Sequence, residues 1–577
     1  MINFNQELKD RYPGIFEKYP KFISNSFVWL LRKLFHEDEI NNFLKENSHL
    51  KNVEFIDAVL NYLGFSYNID NISVENIPTS GRVIFIANHP LGGLDALSLM
   101  SFIGKIRPDV KILANEILLA LDPISDMLIP IDNIGGKNSK DAIKQIDDTL
   151  KNEGAIIVFP AGEVSRVGPF GIKDTKWKGG FLKFAKKREV PIVPIFVNAK
   201  NSTLFYAVSA IHKPLAGLLL GNELFNKKGK SLTIKVGEMI PFKNIIMPEI
   251  RRNSDTLKLL QKHLYSVGKD KKRVFKTQKC LLKPQNKDIV SKEIEEGELL
   301  GETKDGKKIY LCKTPTKTPL LLEIGRLREF TFRKVGEGTG GAYDVDEFDF
   351  YYKHLVLFDA TQKEIVGAYR LGITNEIKPN LDSKKLYTQT LFEFKDDATY
   401  LFQDSVELGR SFVQPKFWGT RALDYLWYGI GAYIRNFPQT RYLFGPVSIS
   451  ANYHKTARDM MIYFYKKHFG LSGDIVLSKN RYIIPKQEYS ELEELFSGKN
   501  YEEDFKILKE SLAIYGLGVP TLYKQYSELC DEGGAKFLDF GVDVEFENCT
   551  DGFIVVDIDK VKDIKKKRYI DDSLKAE

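Results

Sequence analysis

His89 and Asp95 stand on either side of two glycines in ANHPLGGLDAL (87–97), directly after the apolar run VIFIAN (83–88). A histidine and a carboxylate on a Gly-rich turn at a strand end are one way to build a general base, and they are also how many ordinary loops look. The chemistry open to such a pair is removal of a hydroxyl proton, with the carboxylate fixing the imidazole tautomer and steadying the imidazolium. Taken alone, His89 reads more simply as a structural histidine. What decides between the two is the set of elements around it.

Size and composition frame those elements. The 577 residues exceed what one core can use, and 43% hydrophobic with 28% charged residues is the make-up of a folded, water-compatible chain. Cys280, Cys312, Cys530 and Cys549 are scattered, without a CxxC pair or a histidine at ligand spacing, so neither a disulfide framework nor a zinc site is expected. No metal or redox cofactor is implied. The start MINFNQELKDRYPG lacks a basic segment leading into an apolar one, and no apolar run approaches the ~20 residues that span a bilayer. The net charge of +7 is modest for this length and does not call for nucleic acid.

Contact with a membrane surface is a separate question. SFVWLLRKLF (26–35) mixes Trp29, Leu30, Leu31 and Leu34 with Arg32 and Lys33, as an interfacial amphipathic helix does, though a core helix fits as well. The basic runs GKDKKRVFKTQK (268–279) and KVKDIKKKR (560–568) suit anionic headgroups or an acidic carrier protein, or are solvated lysine faces.

Along the chain, residues 1–75 read as helices, DEINNFLKE and VEFIDAVLNYLGF showing apolar residues three and four apart. From 81 strands alternate with helices: RVIFIAN, KILAN, MLIPID, AIIVFPAG, the helical KGGFLKFAKK, VPIVPIFV and SLTIKVGEMIPF. That pattern predicts an α/β layer with functional loops at strand ends. A polar stretch over 276–300 reads as a linker. Beyond it, YKHLVLFDATQKEIVGAYRLG (352–372) predicts two strands around a turn, ALDYLWYGIGAYIRNF (422–437) a helix, RYLFGPVSIS (441–450) a strand, and GFIVVDID (552–559) an edge or closing strand. Trp418 and Trp427 read as core aromatics.

With those elements placed, NHPLGGLD resembles the first motif of the lysophospholipid acyltransferase superfamily, FPAGEVSR (159–166) its third block, usually FPEGTRS, and VPIVPIFV (190–197) its fourth. The resemblance implies that His89 and Asp95 are the catalytic pair of an O-acyl transfer. It also implies that Gly162, Glu163 and Arg166 serve the oxyanion and the acceptor: the Gly162 N–H as oxyanion donor, Arg166 as a fork for a carboxylate. Two departures stand out. Five residues separate His89 from Asp95 where the family has four, and Ala161 takes the usual Glu position, which argues against a phosphorylated acceptor.

From 320 to 450, GRLREFTFRKVGEG (325–338), DVDEFDFYYKHLVLFD, VGAYRLG, ELGRSFVQPKFWG and LFGPVSIS (443–450) resemble the N-acyltransferases related to acyl-homoserine-lactone synthases, within the acetyltransferase-like fold, and more closely the ornithine-lipid synthase family. Carried over residue by residue, this implies a site with Arg328, Phe332, Asp346, Asp349, Arg370 and Arg410, and with Glu407 orienting or deprotonating an amine. An internal salt-bridge network among Asp346, Asp349, Arg370 and Arg410 is the plain alternative for each of them.

Together the two resemblances are those of the bifunctional ornithine- or glycine-lipid synthases of bacteria. They imply an α/β chain of two acyltransferase domains: a lysophospholipid-acyltransferase-like O-acyltransferase at 1–275, a linker at 276–300 and an acetyltransferase-like N-acyltransferase at 301–577. The expected partners are acyl carrier protein, an amino acid, a lyso-aminolipid and a membrane surface, with acyl-carrier protein or acyl-CoA as donor and no bound cofactor. The expected place is the cytoplasm, peripherally on the inner face of the cytoplasmic membrane. The rivals are a glycerolipid acyltransferase with an accessory domain, and an inactive fold that only binds membranes or carrier proteins.

Overall fold

The computed structural model describes residues 36–115, 121–131, 140–168, 171–211, 213–246, 252–471 and 473–571. The segment 26–35, expected to form an interfacial or a core helix, lies outside them. The chain divides into two compact units, Met1–Cys280 and Leu281–Glu577.

In the first unit the strands are β1 (Ser66–Ile69), β2 (Val83–Ala87), β3 (Lys111–Asn115), β4 (Leu128–Ile131), β5 (Ala155–Val158), the small hairpin β6 (Arg166–Gly168) and β7 (Gly171–Lys173), β8 (Ile192–Asn198) and β9 (Ser231–Val236). The main sheet runs β1-β9-β8-β2-β5-β3-β4. Its pairs are parallel except β8 with β9. A central parallel strand is covered on both faces and needs an unbroken apolar run. VIFIA is such a run, buried at every position. Alternation along it splits the core: Val83, Phe85 and Ala87 join one apolar cluster and Ile84 and Ile86 the other. The first cluster is closed by helices Asn52–Tyr62 and Gly93–Ile106 (α1), the second by Lys140–Lys151, Gly180–Arg188 and Asn253–Gly268 (α2).

In the second unit the strands are β10 (Glu298–Glu302), β11 (Lys308–Lys313), β12 (Lys353–Asp359), β13 (Glu364–Ile373), the short β14 (Phe392–Phe394), β15 (Ser405–Val413), β16 (Tyr442–Ile449), the short β17 (Val476–Ser478), β18 (Ala535–Asp543) and β19 (Cys549–Asp557). The large sheet runs β10-β11-β12-β13-β15-β16-β19-β18, so GFIVVDID is an inner strand and β18 the edge. Helix α3 (Pro319–Val335) starts on the Thr318 side chain with Pro at its first turn and stops at Gly336. Helix α4 (Ala422–Asn436) buries one face on the sheet. Residues 287–295, inside the expected linker, form a helix whose Val290 and Ile294 join an apolar cluster of the second unit. Trp427 is buried as expected, whereas Trp418 is half exposed and donates its Nε1–H to the Val413 carbonyl at 2.7 Å.

β15 and β16 pair in parallel over only three positions, Ser405 to Glu407 against Tyr442 to Phe444. Gly445 then passes so close to the Leu408 carbonyl that no Cβ fits between them. Beyond this point no further pairing joins the two strands, and Arg410 takes a left-handed backbone, φ 49°. A cavity occupies the opening.

Candidate active sites

In the first unit His89 leaves the C-terminal end of β2 and Asp95 sits in the first turn of α1, so the pair forms at the strand-to-helix corner. Gly92, at φ 91°, takes the turn that brings them together, a conformation a side chain resists. The extra residue of the five-residue spacing lies in this corner.

His89 Nδ1 lies 3.0 Å from Asp95 Oδ1, a close ion contact that falls short of an aligned ring N–H hydrogen bond. Asp95 is fully buried and accepts the Leu91 and Ala96 backbone N–H groups at 2.8 Å each, which fixes its carboxylate. The His89 ring stacks on Phe159 at 3.9 Å. Burial works against the charged ring, but the Asp95 and Asp174 carboxylates outweigh it and raise its pKa above the ordinary value.

Asp174 is absent from the expected set and proves central. Its Oδ1 accepts the His89 backbone N–H at 3.1 Å and the Ser165 hydroxyl at 2.6 Å, and its Oδ2 accepts Trp177 Nε1–H at 3.0 Å. The Asp174 N–H donates to the Tyr265 hydroxyl on α2 at 2.8 Å, and the Ser165 N–H donates to the His89 carbonyl at 2.8 Å. Motif one and block three are thus one hydrogen-bonded assembly. Burial raises the Asp174 pKa against these donors. Its sequence signal is slight: one carboxylate between block three and KGGF.

The residues expected to serve the oxyanion and the acceptor have partners of their own. The Gly162 N–H donates to the Phe159 carbonyl at 3.0 Å and closes a turn. Arg166 is held by the Ser209 hydroxyl, by Glu163 at 3.5 Å and over the Phe205 ring at 5.5 Å, while Glu163 accepts the Thr175 hydroxyl at 2.8 Å. The Arg166 Nε is buried with no hydrogen-bond partner among the described residues, one donor that an acceptor molecule can meet.

In the second unit Arg328 and Phe332 lie one turn apart on the inner face of α3. Arg328 is buried and donates to Asp349 at 3.0 and 3.1 Å. Asp349 also lies 3.3 Å from Arg370, which pairs with Asp346. Arg410 reaches Asp344 at 3.4 Å and Asp346 at 3.7 Å. Three arginines thus face three aspartates, the salt-bridge network weighed as the plain alternative, extended by Arg328 and Asp344. Burial alone would raise the Asp349 carboxyl, but Arg328 and Arg370 hold it well below the carboxylate range. His354 beside it is lowered to about 4 by burial. Arg370 and Arg410 lie over the Tyr387 ring at 5.2 and 4.6 Å, and Phe332 meets Phe546 edge-on at 5.1 Å.

Glu407, expected to orient or deprotonate an amine directly or through water, lies deeper. It is 1% exposed, and its carboxylate accepts the Tyr352 hydroxyl, the Thr388 N–H at 2.7 Å and the Tyr387 N–H at 3.2 Å. It lines neither cavity of this region. Burial raises its pKa, and its oxygens anchor the 387–388 turn.

The two cavities share Tyr387, Arg410, Phe546 and Asp551. The larger, about 660 Å³, extends past Asp344, Asp346 and Asp543. The smaller, about 110 Å³, fills the opening between Leu408–Ser411 of β15 and Pro446–Ser448 of β16. Among the described residues no group of three or more His, Cys, Asp and Glu is placed to hold a metal ion, and all four cysteines are buried thiols. Arg273 pairs with Glu238 at 2.6 Å and Arg568 with Asp424 at 2.7 Å, so part of each basic run is used inside its own unit. No helix among the described residues is long and apolar enough to cross a membrane.

Comparison with known proteins gives these sites a setting. A family described as acyltransferase matches residues 7–267, and the acetyltransferase (GNAT) domain family matches 327–428. A glycine N(alpha)-acyltransferase of Bacteroides thetaiotaomicron is 33% identical over 50% of this chain and 89% of its own length. A lyso-glycine lipid O-acyltransferase of the same organism is 32% identical over 42% of this chain and 89% of its own length. A 1-acyl-sn-glycerophosphate acyltransferase structure, PlsC of Thermotoga maritima, aligns at 17% identity and TM-score 0.26, over 42% of this chain and 95% of that one. The chain therefore belongs to the acyltransferases, with an acyltransferase domain in its N-terminal half and a GNAT domain in its C-terminal half, and it is related to both glycine N-acyltransferases and lyso-glycine lipid O-acyltransferases.

Proposed function

We propose that this chain makes an acyloxyacyl aminolipid in two steps. The C-terminal unit transfers a 3-hydroxyacyl group from a carrier thioester to the amine of an amino acid, with glycine as the acceptor in view. The N-terminal unit then transfers a second acyl chain to the 3-hydroxyl of that product. The observation that carries this reading is that relatives named for the two successive activities align with the same chain.

The geometry supports the second step at His89. Its ring takes the proton of the 3-hydroxyl as that oxygen attacks the thioester carbonyl, and the imidazolium so formed is steadied by Asp95 at 3.0 Å. The proton then passes to the departing sulfur. Arg166 then holds the carboxylate of an aminolipid, a role supported by its Nε having no partner among the described residues and in keeping with an acceptor that has no phosphate. In the first step Asp346, Asp349, Arg370 and Arg410 form a charge-balanced frame, and Glu407 holds the 387–388 turn over it.

The test is lipid analysis by mass spectrometry of a bacterium without aminolipids that expresses the chain. The expected result is a two-chain glycine lipid, reduced to the single-chain form by His89→Ala. Altered phosphatidic acid with no aminolipid identifies a glycerolipid acyltransferase instead, and unchanged lipids identify a binding module.

A further inference from the structure

Two carboxylates outside the network described above face the small cavity where β15 and β16 part. Glu337 follows the end of α3, and Asp551 lies on β19 beside Ser448, whose hydroxyl donates to it at 2.7 Å. Arg410 borders the same cavity. So does Tyr369, which is 2% exposed and whose buried hydroxyl makes no hydrogen bond of ordinary geometry among the described residues. A buried hydroxyl left open on a cavity marks a place that a polar ligand atom satisfies. The cavity therefore carries two acids, one fixed cation and one open hydroxyl, which complements a zwitterion beside a reacting carbonyl.

We propose that this cavity is the acceptor site of N-acylation and takes a small amino acid, with Arg410 meeting its carboxylate and Asp551 receiving a proton from its ammonium. The inference rests on the N-acyltransferase reading and goes further by naming the base and the acceptor class. Asp551 removes one proton from the ammonium, and the freed lone pair forms the C–N bond at the thioester carbonyl. The carbonyl π pair moves to oxygen, where the Tyr369 hydroxyl donates to it. Collapse restores the carbonyl and breaks the C–S bond, its electron pair leaving on sulfur. The second nitrogen proton passes through Glu337 to that sulfur, and Asp551 returns its proton to water. Amide, thiol and one proton account for all atoms.

The environment suits these roles. Burial pushes Asp551 up to about 6, with the Ser448 hydroxyl opposing and Asp543 adding to the rise. Burial and the Asp551 charge push half-buried Glu337 up to about 8. Two acids whose values separate across neutrality divide into base and proton carrier. The charged and titratable groups around Asp551 are Glu337, Arg410, Asp543, Cys549, Tyr387 and Tyr523. At about 110 Å³ the cavity favours an acceptor of few heavy atoms.

The experiment uses the purified full chain with glycine and a long-chain 3-hydroxyacyl thioester, on coenzyme A and on acyl carrier protein. It follows thiol release and the mass of the amide from acid to alkaline pH. Asp551→Asn is expected to lose about 100-fold or more in kcat and to lose the acid limb of the profile. Tyr369→Phe, which removes an oxygen that makes no hydrogen bond of ordinary geometry among the described residues, is expected to lose about tenfold in kcat at unchanged KM. Wild-type kcat and pH profile in Asp551→Asn overturn the inference while leaving N-acylation in place. Should Asp551→Asn fail to fold, wild-type rates in both Tyr369→Phe and Glu337→Gln overturn it equally. Ornithine outrunning glycine overturns the acceptor class. A wild-type chain that releases no thiol overturns the N-acylation reading itself, and this inference with it.

Discussion

Asp174 accepts the backbone N–H of His89 at 3.1 Å, so the proposed base is held through its main chain by one carboxylate while its ring meets another, Asp95, at 3.0 Å. The two attachments separate position from protonation and predict different phenotypes for the two aspartates.

Asp95 sets the protonation. His89 must be neutral to accept a proton, and its raised pKa places the acid limb of O-acylation above the ordinary histidine value of 6.5. Asp95→Asn removes the first opposing charge, burial then prevails, and the acid limb moves to lower pH while kcat falls about 100-fold or more. The kcat/KM profile for transfer to a single-chain lipid measures both. The linked stability has the matching sign: a raised folded pKa favours the folded state below 6.5 and that contribution is lost as pH rises through the folded value.

Asp174 sets the position. Asp174→Ala leaves the His89 N–H, the Ser165 hydroxyl and the Trp177 indole without their acceptor. A cost of about 1–3 kcal/mol per stranded buried donor is the expected scale, read as a lower urea midpoint. O-acylation falls, but the acid limb moves less than in Asp95→Asn, because Asp174 contributes less to the His89 shift.

Gly92→Ala tests the corner between the pair. At φ 91°, with Val164 and Leu220 side chains near the added Cβ, alanine is expected to cost about 1–3 kcal/mol and to lower O-acylation with N-acylation unchanged. Equal loss of both activities would refer the effect to general unfolding.

Arg328→Met strands Asp349 in the second unit. Removing one partner of a buried ion pair costs about 3–5 kcal/mol, and Asp349→Asn in the same chain is expected to recover part of it. Because the Asp349 pKa is depressed, the wild-type contribution is present above the ordinary 3.8 and is lost as pH falls toward the folded value. The Arg328→Met deficit therefore shrinks in acid.

Local pattern made much of this legible. VIFIAN, KILAN, AIIVFPAG and VPIVPIFV carry their strand character in short apolar runs, and the first ends at His89, so strand, turn and pair could be read together. The Arg328 to Arg410 set was legible as residues but not as a balance of charges, since Asp344, the first residue of the quoted DVDEFDF run, had no role in the pattern carried over. Asp174, Glu337 and Asp551 were illegible for a different reason. Each meets its partners only after distant segments pack, and single carboxylates in polar surroundings look like surface residues until burial is known. Glu407 and Gly162 show the reverse: the residue type is plain in the sequence, and the hydrogen bonds that hold each of them are visible only in three dimensions.

The brief β15–β16 pairing also bears on how the second unit comes apart. With three rungs joining five strands on one side to three on the other, the large sheet has a seam, and Gly445 allows close approach there without side-chain interlock. Backbone amides along the seam are expected to exchange with deuterated water sooner than those of β12 and β13, which share seven rungs.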